Sequence, residues 1–185
     1  AVGVIGTPLD GVGPRLRTSE TNLGNLVADA IRQSVGAEIA LVNGGGIRGE
    51  RVFPVGPFLR RTVVEIHPFG NVVCRLEVTG RIVLEALEHG AAALPIPAGA
   101  FLQVSGLSLR IDPSRQPGTR VRDVRVNGVP LDPARTYTLA LPSFLLLGGD
   151  GYDMFQGQRV VISPESGPTM ASALEYAGYD ATFVA

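Results

Sequence analysis

A chain of 185 residues with 45% hydrophobic and 18% charged residues has the make-up of one soluble globular domain, long enough to bury a substantial core. Its net charge of −1 offers no basic field for nucleic acid and no acidic block for a basic partner, and all 16 of its cationic side chains are arginines. The lone Cys74 excludes an intrachain disulfide, the first residues lack a signal-peptide pattern, and no apolar run approaches the roughly 18 residues of a membrane-crossing helix.

Residues Ala1 to Pro14, with Val2, Val4, Ile5 and several glycines, read as one short strand. Arg15-Leu16-Arg17 leads into Thr18-Ser19-Glu20-Thr21, whose side chains accept hydrogen bonds from the open N–H groups of a helix start. Leu23, Leu26, Val27, Ala30 and Ile31 then recur at helical spacing to about Ser34, with Gly36 as the stop. Arg17 is therefore expected just ahead of a helix N-terminus, where an anion site and a solvated arginine are equally open readings. Ile39-Ala40-Leu41-Val42 reads as a buried strand that ends at Asn43 and three glycines. Val52 to Leu59, punctuated by Pro54, Gly56 and Pro57, is extended, and a short helix is predicted from about Arg60 to Ile66.

In His67-Pro68-Phe69-Gly70-Asn71 an aromatic is wedged between turn residues, which favours display, although core anchoring of Phe69 stays open. Val72 to Val78 alternates as a half-buried strand, and Thr79-Gly80 starts a helix ending near Gly90. Strands follow at Phe101 to Val104 and Leu107 to Ile111, and Asp112 to Thr119 reads as a surface loop. Val121 to Val126 turns at Asn127-Gly128, a hairpin signal, and returns through Val129 to Leu131. Thr136 to Leu141 is a strand broken by Pro142, Val160 to Ile162 a last strand, and Pro168 to Ala177 a terminal helix closed by Gly178. With no internal repeat, the pattern predicts an α+β single domain: a mixed β-sheet flanked by helices.

Gly44-Gly45-Gly46 lack the Cβ atoms that would hold a ligand off the backbone, so their N–H groups can point at an anion. Arg48 adds paired donors suited to phosphate or carboxylate, the alternative being a tight turn with a solvated arginine. Gly44, Gly46 and Gly49 also fit G-x-G-x-x-G, but that fingerprint must open a helix and this one enters a proline-broken extended segment. A Walker loop is excluded, since the chain has no lysine. His67 and His89 have no partners at metal-ligand spacing, and His89, near a helix end, reads as a surface or dipole-complementing residue. Asp150, in the second glycine-rich turn, has no companion carboxylate for acid–base work. Anion donors, displayed aromatics and one acid suit recognition of a nucleotide-like ligand better than its transformation.

Thr21-Asn22-Leu23-Gly24-Asn25-Leu26-Val27-Ala28-Asp29-Ala30, Asn43-Gly44-Gly45-Gly46-Ile47-Arg48, Pro68-Phe69-Gly70-Asn71, Glu77-Val78-Thr79-Gly80 and Gly148-Gly149-Asp150-Gly151-Tyr152 occur in that order. Over nearly its whole length the chain thereby resembles the C-terminal, substrate-recognition domain of the 5'-nucleotidase and UDP-sugar hydrolase family. The resemblance implies a 5'-nucleotidase C-terminal-type fold over residues 1–185. It also implies a separate N-terminal metallophosphoesterase domain of the same parent protein, absent from this chain, which carries a divalent metal pair and the catalytic residues. No catalytic or metal-binding residue and no cofactor is expected in this chain, and by itself it is expected to bind a nucleotide or nucleoside without hydrolysing it.

Carried over by resemblance, Arg17, Arg48, Asn43 and Gly45 of the glycine turn contact substrate, Arg15 could share the role of Arg17, Phe69 and Phe144 sandwich the base, and Asp150 binds the ribose hydroxyls. Ser143 and Leu147 depart from the family pattern, standing where asparagines flank the second aromatic. The resemblance further implies a periplasmic, secreted or cell-surface parent, with no nucleic-acid partner and no membrane span. The alternative reading is a non-catalytic binding module for a nucleotide or another phosphorylated ligand. Relatives of the same fold act on cyclic nucleotides or sulfur substrates, and the two aromatics favour a flat ring over a sulfur anion.

Overall fold

Strand Ile39–Asn43 is buried at every position, and the rest of the chain is layered on the sheet it belongs to. The computed structural model describes residues 1–180. In chain order its elements are β1 (Gly3–Ile5), β2 (Leu9–Asp10), α1 (Gly13–Leu16), α2 (Asn22–Ser34), β3 (Ile39–Asn43), a 3-10 turn (Gly44–Gly46), β4 (Val52–Phe53), β5 (Gly56–Phe58) and α3 (Arg60–Ile66). There follow β6 (Val73–Thr79), α4 (Gly80–Ala91), β7 (Leu102–Ser105), β8 (Leu107–Ile111), β9 (Val121–Val126), β10 (Val129–Pro130) and β11 (Thr136–Pro142). The last are α5 (Ser143–Leu146), 3-10 turns at Gly149–Gly151 and Asp153–Phe155, β12 (Arg159–Ile162) and α6 (Met170–Asp180).

The central sheet has the order β12-β6-β11-β3-β7. Only its β11–β3 pair is parallel, with Leu139 opposite Ile39, and the other neighbours run antiparallel, so the sheet is mixed. Alternation along β3 feeds two cores. Ala40 and Val42 face a cluster with Leu23, Val27 and Ile31 of α2 and Leu174 of α6, whereas Ile39 and Leu41 face Val83 and Leu87 of α4. Each fully buried Leu, Ile or Val there contributes about 1.5–3 kcal/mol relative to exposure. A small sheet, β10-β9-β8, covers the α4 side, and its β9–β10 hairpin turns through Asn127 (φ 50°) and Gly128 (φ 79°) as the sequence predicts.

Helix α2 starts as expected, with Thr21 as its cap accepting the Gly24 N–H at 3.0 Å, and it ends at Ser34 before Gly36 (φ 62°). Four local expectations are corrected. The first 14 residues hold two short strands rather than one, because β1 pairs with β5 and β2 with β4. Pro14 opens an extra helical turn, α1, so Arg17 caps the end of α1 rather than leading into α2. Pro142 stays in β11 as its last rung, opposite Val73. Gly178 does not close the terminal helix, which continues to Asp180.

Candidate functional site

Because β3 and β11 are parallel, Asn43 and Pro142 end their strands at the same edge of the sheet, where β6 begins. The loops leaving and entering there, 44–48, 67–71 and 143–151, converge with the end of α1 around a cleft of about 390 Å3. A crevice at the carboxyl ends of parallel strands is where sheets of this kind commonly hold ligands. Arg17, Asn43, Gly45, Arg48, Phe69, Phe144 and Asp150 all line this cleft. Arg15 does not, for its guanidinium pairs with Asp10 at 2.8 Å.

The aromatic pair is set apart by exposure. Phe53, Phe58, Phe101 and Phe155 are buried, whereas Phe69 is 54% and Phe144 39% exposed. The Arg48 guanidinium lies 4.9 Å from the Phe69 ring centre and its Nε donates to the Gly45 carbonyl at 2.9 Å, so one side chain braces both loops. A Cβ on Gly149 would lie 2.6 Å from Phe144 ring atoms, so glycine there lets the second turn pass close beneath the ring.

Asp150 adopts a left-handed conformation (φ 54°) between Gly148 (φ 88°) and Gly151 (φ 81°). Such geometry persists only when neighbours hold it. Asn43 Nδ2 donates to Asp150 Oδ2 at 3.0 Å, and a ring nitrogen of His89 lies 2.7 Å from the Asp150 carbonyl oxygen. His89 also meets the ring of Tyr152 edge-on at 4.6 Å, and the Tyr152 hydroxyl donates to the Ala100 carbonyl. Burial, with a smaller contribution from the Asp150 charge, pushes the Tyr152 hydroxyl far above its ordinary range, so it stays a donor. His89 lies in the last turn of α4, as the sequence reading expects, and also braces the Asp150 turn.

The glycine turn is also corrected in its mechanism. The Gly44 N–H donates to the Phe101 carbonyl at 2.7 Å and the Gly45 N–H to the Gly99 carbonyl at 2.9 Å, so neither is free for an anion. Glycine is needed for close approach instead: a Cβ at Gly44 would lie 2.2 Å from the Leu16 carbonyl oxygen, and one at Gly45 would lie 2.9 Å from the Gly99 Cα. The cationic donors at this cleft are the guanidinium groups of Arg48 and Arg17, the latter 3.5 Å from Glu50.

Asn71 and Gly99 line the cleft as well and were not singled out from the sequence. Asn71 lies inside the Pro68-Phe69-Gly70-Asn71 motif, a signal that could have found it, whereas Gly99 sits in a Pro/Ala-rich loop that only tertiary pairing brings to the turn. Ser143 accepts the Val72 N–H on its hydroxyl, and Leu147 is 72% exposed. Among the described residues no three His, Cys, Asp or Glu side chains converge to hold a metal ion, so these residues do not fit a metal pair. The cleft thus offers two ring faces, a carboxylate oriented by an amide, and two guanidinium groups.

Residues 2–157 match the family described as "5'-nucleotidase, C-terminal domain". The chain is 38% identical over 163 residues to the trifunctional nucleotide phosphoesterase protein YfkN of Bacillus subtilis, covering 83% of this chain and 11% of that protein. It is 36% identical over 170 residues to the snake venom 5'-nucleotidase of Crotalus adamanteus, covering 80% of this chain and 29% of that one. Among solved structures, a 5'-nucleotidase precursor from Thermus thermophilus superposes with a TM-score of 0.89 at 36% identity, covering 97% of this chain and 36% of that chain. This chain therefore spans only a minor part of the length of the relatives it matches. With motif order, fold and cleft in agreement, the chain belongs to the 5'-nucleotidase C-terminal domain family.

Proposed function

We propose that this chain is the nucleotide-recognition part of a 5'-nucleotidase-type phosphohydrolase. The base stacks between Phe69 and Phe144, Asp150 accepts hydrogen bonds from the ribose hydroxyls, and Arg48 and Arg17 hold the phosphate. A separate metal-bearing domain of the parent protein performs the hydrolysis. The observation that carries this reading is convergence: residues as far apart as Arg17 and Asp150 meet in one cleft, and it is rimmed by the two exposed phenylalanines of the described chain. The partner domain is supported by the larger size of the relatives. A venom component among the relatives supports a secreted or cell-surface parent, and among the described residues no helix is long and apolar enough to cross a membrane.

Stacking a base on an aromatic contributes about 1–3 kcal/mol, so Phe69→Ala and Phe144→Ala each weaken adenosine binding by about 5- to 150-fold. Calorimetric titration of wild type and both variants with adenosine and AMP tests this. Unchanged affinity in both folded variants sinks the stacking assignment, and affinity for inorganic phosphate without affinity for adenosine supports a general phosphate-binding module instead.

A further inference from the structure

Immediately after α3, the imidazole of His67 is buried, with 7% of its surface exposed, and its Nε2 has no hydrogen-bond partner. Burial lowers the basicity of the ring to about 4, while a hydrogen bond to the Gly46 backbone works in the opposite direction. In the Nδ1–H tautomer of the neutral ring, the unpartnered Nε2 is an acceptor. Leaving a buried acceptor unpaired costs its full desolvation.

Beside the ring is a small cavity of about 10 Å3, lined by His67, Asn43, Gly46, Phe69, Asn71 and Met170 among others. That is about the space one water molecule needs, and a buried water needs two to four polar partners. Asn43 and Asn71 line it with His67, and an asparagine side chain offers both a donor and an acceptor. The cavity is separate from the nucleotide cleft but shares Asn43, Gly46, Phe69 and Asn71 with it. A cavity of about 10 Å3 has no room for an oxyanion, and a metal ion would find one imidazole and two asparagines with no charge to offset its own.

We infer that this cavity holds one ordered water that donates to His67 Nε2 and bonds the amides of Asn43 and Asn71, making His67 a positioning residue for the Phe69 loop. The water connects the loop that carries Phe69 to Asn43, which in turn holds Asp150 at 3.0 Å. Two arms of the cleft that have no direct contact in sequence are thereby tied at their base. The positioning role rests on the nucleoside reading of the cleft; the water site does not.

A high-resolution crystal structure of the chain, the 15N shifts of its His67 ring, and adenosine titrations of His67→Leu and His67→Gln test this together. The expected results are water density within hydrogen-bond distance of Nε2 and an Nδ1–H tautomer at neutral pH. His67→Leu, which removes the acceptor, weakens adenosine binding roughly tenfold, the equivalent of one hydrogen bond, and His67→Gln, which keeps one, recovers most of it. An empty cavity or an Nε2–H tautomer overturns the water site. Wild-type affinity in His67→Leu overturns the positioning role, and if that variant does not fold, density and tautomer decide the water while a His67→Gln variant without the water decides the role. Water present in a wild-type chain that binds no adenosine upholds the site and overturns the nucleoside reading, and the positioning role with it.

Discussion

Asp150 and His67 show how surroundings set the conformation and charge state of single residues. The left-handed Asp150 is held from two directions, by Asn43 on its carboxylate and by His89 on its carbonyl. Asparagine tolerates the same conformation and can still accept from Asn43, so Asp150→Asn leaves thermal stability nearly unchanged. It removes the charge that strengthens hydrogen bonds to hydroxyls, an effect of about 1.5–3 kcal/mol against about 1 for a neutral acceptor, and adenosine affinity falls by about 2- to 30-fold. Equal affinity of the two proteins by calorimetry would separate Asp150 from the ribose. His67 makes a prediction about pH. Its folded value of about 4 lies below the ordinary 6.5, so the unfolded chain takes up a proton that the folded chain refuses. The His67 contribution is therefore complete above pH 6.5 and declines as pH falls towards 4, with about 2 kcal/mol lost by pH 5. Urea denaturation at pH 7 and pH 5 checks this, and the difference between the two shrinks in His67→Gln by that amount.

At the scale of elements, the loop after α4 decides whether the glycine turn has a wall. It delivers Phe101 and Gly99 to the Gly44 and Gly45 N–H groups, and it is anchored by a buried arginine. Arg120, 7% exposed, donates through Nη1 to the carbonyls of Ala91, Ala92 and Leu94 at 2.7–2.9 Å, capping the end of α4 with a cation. Its backbone and that of Val121 in turn donate to Glu88 of the same helix. Replacing it by methionine keeps much of the volume but strips three carbonyls of their donor. Arg120→Met is expected to cost about 3 kcal/mol, a fall in melting temperature of about 6–12 °C for a domain of this size. Thermal unfolding measures it; a shift under about 2 °C would show that solvent replaces the guanidinium at no cost.

At the scale of the whole molecule, the mixed sheet brings the cleft-lining residues together at the ends of β3 and β11 and buries both its faces under helices or a second sheet. The nucleotide-recognition reading divides labour accordingly: this chain grips, and another domain supplies the reactive metals. Purified as it stands, the chain is expected to bind AMP and release no phosphate, and fusion to a metallophosphoesterase domain of the family is expected to restore hydrolysis. A phosphate-release assay with and without chelator checks both, and chelator-sensitive hydrolysis by the chain alone would overturn the division.

Much of the architecture is legible in local sequence. Apolar spacing, the Thr21 cap, the Asn127-Gly128 turn and the punctuation around Val52–Leu59 act over a few residues, and the elements they mark are present with boundaries shifted by one or two positions. The exceptions, β2, α1, α5 and the end of α6, are short or terminal pieces with too few residues for local periodicity to mark them. The resemblance also named seven of the residues that line the cleft, though not Asn71 or Gly99, and the fold that carries them. What local sequence cannot encode is which partners those residues meet. That Gly44 and Gly45 spend their N–H groups on the loop at Phe101 and Gly99, that His89 braces Asp150 across 61 residues, and that Asn43 reaches Asp150 across 107 are settled by strand order and the parallel β3–β11 pair. Periodicity and capping are properties of neighbouring residues, whereas these contacts exist only once the chain has closed on itself and each buried donor must find the acceptor that the fold brings to it.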